Sequence, residues 1–146
     1  MQYGFLFCQS SCTGCKTCEQ ACKDYHGTPV GCSFRRVIDY EGGAWSQDKN
    51  GSWRNDAFHY HVSLSCNHCS SPICVKVCPT GAMHKEDNGI VRVNEKICVG
   101  CGYCTMACPY RAPFVSDDTH KSSKCDGCYD RIAEGHLPIC VEACPL

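Results

Sequence analysis

The stretch Cys98-Val-Gly-Cys-Gly-Tyr-Cys-Thr-Met-Ala-Cys108-Pro109 decides the fold of this chain. Four cysteines separated by two, two and three residues have the ligand spacing of a bacterial ferredoxin-type [4Fe-4S] cluster. Cys12, Cys15, Cys18 and Cys22 repeat it. Two variants alternate with these sets. Cys66, Cys69, Cys74 and Cys78 have a middle gap of four residues, and Cys125, Cys128, Cys140 and Cys144 have one of eleven. Of the 18 cysteines in 146 residues, only Cys8 and Cys32 fall outside the four sets. Four complete ligand sets imply four [4Fe-4S] clusters, and so many in a short chain imply a path for electrons.

The spacing has a physical basis. A two-residue gap lets a tight turn aim two sulfurs inward while its backbone N–H groups point at the cluster sulfides and offset buried negative charge. The fourth cysteine, three residues on, is expected at the start of a helical turn, facing away from the first three. In two-cluster ferredoxins it completes the other cluster. Pro79, Pro109 and Pro145 follow the fourth cysteine of three sets and stop a helix from continuing, whereas Lys23 follows Cys22.

Residues 82–93 read as a hairpin turning at Glu86-Asp87-Asn88-Gly89, which joins the second and third sets. These two sets are then expected to exchange their last ligands. Cys66, Cys69 and Cys74 would share a cluster with Cys108, and Cys98, Cys101 and Cys104 one with Cys78. By elimination the outer sets exchange as well, so that Cys12, Cys15 and Cys18 are completed by Cys144, and Cys125, Cys128 and Cys140 by Cys22.

A disulfide scaffold and a zinc ribbon compete with this reading. Disulfide frameworks scatter cysteines to staple distant loops, whereas here each set opens on a two-residue gap and closes on a three-residue one. Against a zinc-binding structural module stands an internal repeat. Pro72-Ile-Cys-Val75, with Cys78-Pro79, recurs as Pro138-Ile-Cys-Val141, with Cys144-Pro145. Cys8 and Cys32 read as small buried hydrophobes.

Aliphatic core residues are few, so metal ligation must supply much of the folding free energy. The formal charge of -1 counts thiols as neutral, and cluster-bound thiolates make the loaded protein acidic, which excludes nucleic acid as a partner. No apolar run approaches the ~20 residues of a membrane span, and Tyr3 to Phe7 is too short for a signal-peptide core. Alternation predicts a strand at Tyr3, Phe5 and Phe7. It predicts another with Phe58, Tyr60, Val62 and Leu64 inward and His59, His61, Ser63 and Ser65 outward. Arg35 and Arg36 read as a solvated or interface patch on a strand. Residues 29–65 form a long insertion whose Trp45 and Trp53 suit contact with a partner.

Several segments together carry a specific resemblance. They are Cys12-Thr-Gly-Cys-Lys-Thr-Cys-Glu-Gln-Ala-Cys22-Lys-Asp, Ser33-Phe-Arg-Arg36, Ser65-Cys-Asn-His-Cys69, Cys78-Pro-Thr-Gly-Ala-Met-His-Lys85 and Lys124-Cys-Asp-Gly-Cys-Tyr-Asp-Arg131. The chain resembles, from Tyr3 to Leu146, the four-cluster iron-sulfur subunit of bacterial anaerobic dimethyl sulfoxide reductase. The resemblance implies an α+β fold of two interlocked ferredoxin-like modules with short strands, short helices and long loops. Residues 1–65 and 109–146 would form an outer module holding sets one and four, with the insertion at 29–65, and residues 66–108 an inner module holding sets two and three.

The same resemblance implies an electron-transfer subunit, non-catalytic alone, between a quinol-oxidising membrane anchor subunit and a molybdopterin catalytic subunit that reduces dimethyl sulfoxide or a similar S- or N-oxide. Thiosulfate, polysulfide and tetrathionate reductases, nitrate reductase and formate dehydrogenase use relatives with this ligand pattern. The implied location is a peripheral complex on the extracytoplasmic membrane face, reached by co-export with a catalytic subunit that carries the twin-arginine signal, and cytoplasmic before assembly. Family members run on past the position of Leu146, through a strand and a tail. Arg111, three residues after Cys108, is unusual for the family and is either a surface charge or a group that raises the potential of a nearby cluster.

Overall fold

A computed structural model describes residues 2–146. Its regular elements are short because the ligand sets interrupt them. In each set the third cysteine enters the first turn of a helix: Cys18 in α1 (Thr17–His26), Cys74 in α2 (Ile73–Lys76), Cys104 in α3 (Tyr103–Ala107) and, after α4 (Tyr129–Ala133), Cys140 in α5 (Ile139–Glu142). The fourth cysteine does not take the expected place at a helix start. Instead Cys78, Cys108 and Cys144 lie just beyond the ends of α2, α3 and α5, each followed by its proline. With Lys23 in place of proline, α1 carries Cys22 inside the helix and runs on to His26, closing at Gly27 with φ +55°.

The strands pair only in twos. A ribbon of β1 (Arg36–Gly42) and β4 (Phe58–Leu64) is extended at its tip by β2 (Trp45–Gln47) and β3 (Trp53–Asn55). The expected hairpin forms from β5 (Met83–Lys85) and β6 (Val91–Val93), and β7 (Phe114–Val115) pairs with β8 (Ser122–Ser123). This is an α+β arrangement of ferredoxin-like modules. Its aliphatic core is small: Met83 and Val91 pack with Cys74 and Cys104, and Val75, Cys78 and Val93 close over them. Helix α2 packs on α3, and α1 on α5, which brings the two ends of the chain together.

The first predicted strand does not form. Residues 3–7 belong to no sheet; Tyr3 instead donates its N–H to the carbonyl of Asn88, and the Arg35 guanidinium lies 4.8 Å over the Phe5 ring.

The ribbon's faces are reversed from the expectation. Ser63 is buried and Leu64 is 40% exposed, with Phe58 at 47% and Tyr60 at 37%. Polar anchoring causes the reversal. Buried Arg35 donates to the hydroxyls of Ser63 and Ser65, Val37 donates its N–H to the Glu19 carboxylate, and Lys16 bridges Asp39. Satisfying these groups holds the Asp39–His61 face against the first ligand set and turns Tyr40, Phe58 and Tyr60 outward, where they stack on one another. Arg35 is therefore not a solvated patch, although Arg36 is exposed and reaches the carbonyls of Tyr110 and Arg111.

Candidate metal centres

Each ligand set opens on a turn of one backbone type. The residue before the second cysteine has a left-handed backbone in all four sets: Gly14 (φ +68°), His68 (+42°), Gly100 (+70°) and Gly127 (+70°). That conformation directs the flanking sulfurs and the N–H groups inward, and glycine adopts it without steric cost. A side chain at any of these three glycines would also collide with a neighbour: the His61 ring at Gly14, the carbonyl oxygen of His120 at Gly100 and the end of the Ile90 side chain at Gly127. In the second set a histidine takes the glycine's place.

The turns gather the cysteines into cavities. Cys78, Cys98, Cys101 and Cys104 line one small cavity. Cys66, Cys69, Cys74 and Cys108 line another. Each therefore combines three cysteines of one set with the fourth of the other. A wider cavity takes in Cys12, Cys15, Cys18 and Cys144, together with Cys8 and Cys140. The remaining group is compact, because Cys22 is close enough to Cys125, Cys140 and Cys128 for their charges to disfavour its own.

The donor chemistry suits iron-sulfur ligation. All 18 cysteines are free thiols. Backbone N–H groups reach several sulfurs: Met83 donates to Cys78, Ser122 to Cys98 and Gly127 to Cys125, each at 3.4 Å. Ser122 and Ser63 place hydroxyls 3.2 Å from Cys104 Sγ and 3.6 Å from Cys18 Sγ. Burial pushes the Cys22 and Cys125 thiols up to about 12. Such groups become thiolates only when a metal displaces their protons.

Two imidazoles and one ammonium, none identified from the sequence, approach these sulfurs. His68 is 2% exposed; its Nδ1 accepts the Val91 N–H at 3.0 Å and its Nε2 lies 3.8 Å from Cys125 Sγ. His26 Nε2 lies 3.5 Å from Cys128 Sγ. Buried Lys124 donates to the carbonyls of Val91 and Cys125. Its charge favours the thiolates of Cys74 and Cys125 against their burial. The sequence signal for His68 was its position in Cys66-Asn-His-Cys69, where the other three sets have glycine.

The leftover cysteines are not buried hydrophobes. Cys8 is exposed, because the segment before the first set lies on the surface without a sheet partner, and Cys32, beyond α1, is half-buried. The Ser10 and Ser11 hydroxyls hold the Cys8 thiol down at about 7. His59 lies on the outer surface as expected, but His61 is half-buried. Arg111 is exposed, with φ +49°.

Residues 57–146 match the 4Fe-4S dicluster domain family, and residues 9–25 match a 4Fe-4S binding domain family. The B subunit of anaerobic dimethyl sulfoxide reductase from Escherichia coli (strain K12) is 58% identical over 99% of this chain and 70% of its own length. Its counterpart from Haemophilus influenzae is 57% identical over 99% and 71%. The thiosulfate reductase electron transfer subunit of Salmonella typhi is 40% identical over 99% and 72%.

Proposed function

The chain belongs to the family of anaerobic dimethyl sulfoxide reductase B subunits, and from that premise we propose that it is an electron-transfer subunit holding four [4Fe-4S] clusters. In this reading it receives electrons from a quinol-oxidising membrane anchor subunit. It delivers them to a molybdopterin catalytic subunit that reduces dimethyl sulfoxide or a similar S- or N-oxide. The observation that carries the reading is the gathering of cysteines from separate sets around common cavities.

The ligand groups proposed are Cys12, Cys15, Cys18 and Cys144; Cys22, Cys125, Cys128 and Cys140; Cys66, Cys69, Cys74 and Cys108; and Cys78, Cys98, Cys101 and Cys104. Bound there, the clusters would supply one-electron carriers. The chain's own residues set the electrostatics. N–H donors from Met83, Ser122 and Gly127 favour the more negative, reduced state, as does the buried Lys124 ammonium. Met83 and Val91 are each 1% exposed, pack against Cys74 and Cys104 and keep water from the space between the inner groups. Residues 66–108 form the inner module, and residues 1–65 with 109–146 wrap it as the outer one.

No helix among the described residues is long and apolar enough to cross a membrane. Membrane association would therefore come through the anchor, on the extracytoplasmic face after co-export. The outward aromatics Tyr40, Phe58 and Tyr60, with Trp45 and Trp53 at the ribbon tip, fit contact with another protein.

A test begins with anaerobically prepared protein, which should hold about 16 iron atoms per molecule with matching acid-labile sulfide. The reduced protein is then mixed with the catalytic subunit, and its reoxidation on adding dimethyl sulfoxide is followed optically. Iron near half the expected level would refute the four-cluster assignment. Full iron without reoxidation would refute the substrate and leave the clusters standing. The 40% identical thiosulfate reductase subunit supports a second reading, the same role with thiosulfate as terminal substrate, which the same mixing experiment distinguishes.

A further inference from the structure

The β1–β4 ribbon carries a second group of metal-ligating side chains apart from the cysteine sets. The register places Asp39 opposite His61 and Glu41 opposite His59. Residues directly opposite each other share a face, as do residues two apart on one strand. Two imidazoles and two carboxylates therefore stand together on one face of a two-stranded sheet. His61 Nδ1 is 2.7 Å from Asp39 Oδ1, and the rings of His59 and His61 meet edge to face with centroids 4.7 Å apart. One ligand atom from each of Asp39, His59 and His61 lies within 4.8 Å of the other two.

We propose that this face binds one divalent transition-metal ion of the zinc class, with Asp39, His59 and His61 as its protein ligands. Imidazole combined with carboxylate suits zinc and its neighbours rather than calcium or magnesium, which prefer oxygen donors alone. Charge favours a dication. Asp39 and Glu41 are both acidic, and Lys16 pairs with Asp39 at 3.6 Å across an exposed bridge. Such a bridge contributes little stability and is readily given up.

The position gives the site a consequence. The His61 ring occupies the space a side chain at Gly14 would need, and Gly14 is in the turn between Cys12 and Cys15. An ion fixing His61 to β1 and β4 would therefore stiffen the ribbon against that turn. The site depends on none of the cluster assignments.

Iron-loaded protein is dialysed anaerobically against increasing Zn²⁺, and bound zinc, iron and sulfide are measured together. The wild type should bind one zinc per molecule more tightly than His59→Gln or Asp39→Asn by on the order of tenfold or more, with iron and sulfide unchanged. His59 is exposed on the ribbon, so His59→Gln tests ligation without threatening the fold. A second readout is limited proteolysis between β1 and β4, which zinc should slow in the wild type and not in His59→Gln. Equal zinc affinity in wild type and His59→Gln would overturn the proposal. So would zinc uptake matched by loss of iron, which would place the zinc in the cysteine sites.

Discussion

The imidazole of His68 faces the sulfur of Cys125, Nε2 to Sγ at 3.8 Å, although the two residues are 57 apart in sequence. The other side of the ring fixes its proton. Nδ1 accepts the Val91 N–H, so it carries no hydrogen, and the neutral ring must hold its proton on Nε2, towards the sulfur. Burial lowers the pKa of His68 to about 4, so near neutral pH the ring is an uncharged donor. A residue of the second ligand set thereby polarises a thiol of the fourth.

His68→Ala should lower the potential of the cluster held by Cys125. A donor to sulfur strengthens as the cluster gains an electron. If the bond differs by about 1 kcal/mol between the two states, its loss shifts a one-electron couple by roughly 40 mV downward. His68→Gly is the sharper variant, because it removes the same donor and also relieves a non-glycine residue at φ +42°. Redox titration should show both variants shifted down with full iron content. An unchanged potential in both would exclude the imidazole from tuning.

Lys124→Met should weaken cluster retention. The ammonium is 4% exposed and bonds the carbonyls of Val91 and Cys125. Methionine fills similar space but leaves both acceptors unpaired, at about 1–3 kcal/mol each. It also removes a buried positive charge that favours the thiolates of Cys74 and Cys125. Faster loss of visible absorbance under a chelator, relative to wild type, is the expected result; equal rates would show that the carbonyls find other donors.

Much of this arrangement was legible because ligand spacing is local. The four sets, the β5–β6 hairpin at residues 83–93 and the helix stops at Pro79 and Pro109 all follow from neighbours in sequence. The ribbon was misread because alternation shows only that a strand has two faces. Which face turns inward was decided by Arg35, Glu19 and Lys16, polar groups whose partners are distant in the chain. His68 and Lys124 escaped for the same reason, since a buried polar residue is recognised only through the groups it satisfies.

Gly100→Ala should cost one cluster. A methyl group there would collide with the carbonyl oxygen of His120, and backbone cannot yield as a side chain does. Gly81→Ala is the control, with a similar φ of +68° but nothing within 4 Å of its added Cβ. Iron should fall by about four atoms per molecule in Gly100→Ala and stay near wild type in Gly81→Ala. Comparable losses in both would assign the effect to backbone strain rather than to the collision.

The pairing of the two termini offers the most discriminating experiment. Helix α5 packs on α1, and Cys144 lines the same cavity as Cys12, Cys15 and Cys18, whereas Cys22 faces Cys125, Cys128 and Cys140. Cys140 borders that cavity too, but it also neighbours Cys22, which leaves Cys144 as the fourth ligand for the first set. Cys144→Ser should therefore perturb the paramagnetic signal that Cys12→Ser perturbs and leave the signal sensitive to Cys125→Ser intact. Serine keeps a ligating oxygen, so the cluster can persist with a lowered potential and remain assignable. If Cys144→Ser instead alters the Cys125-sensitive signal alone, the outer sets do not exchange ligands, and the two termini are joined by helix packing rather than through a cluster.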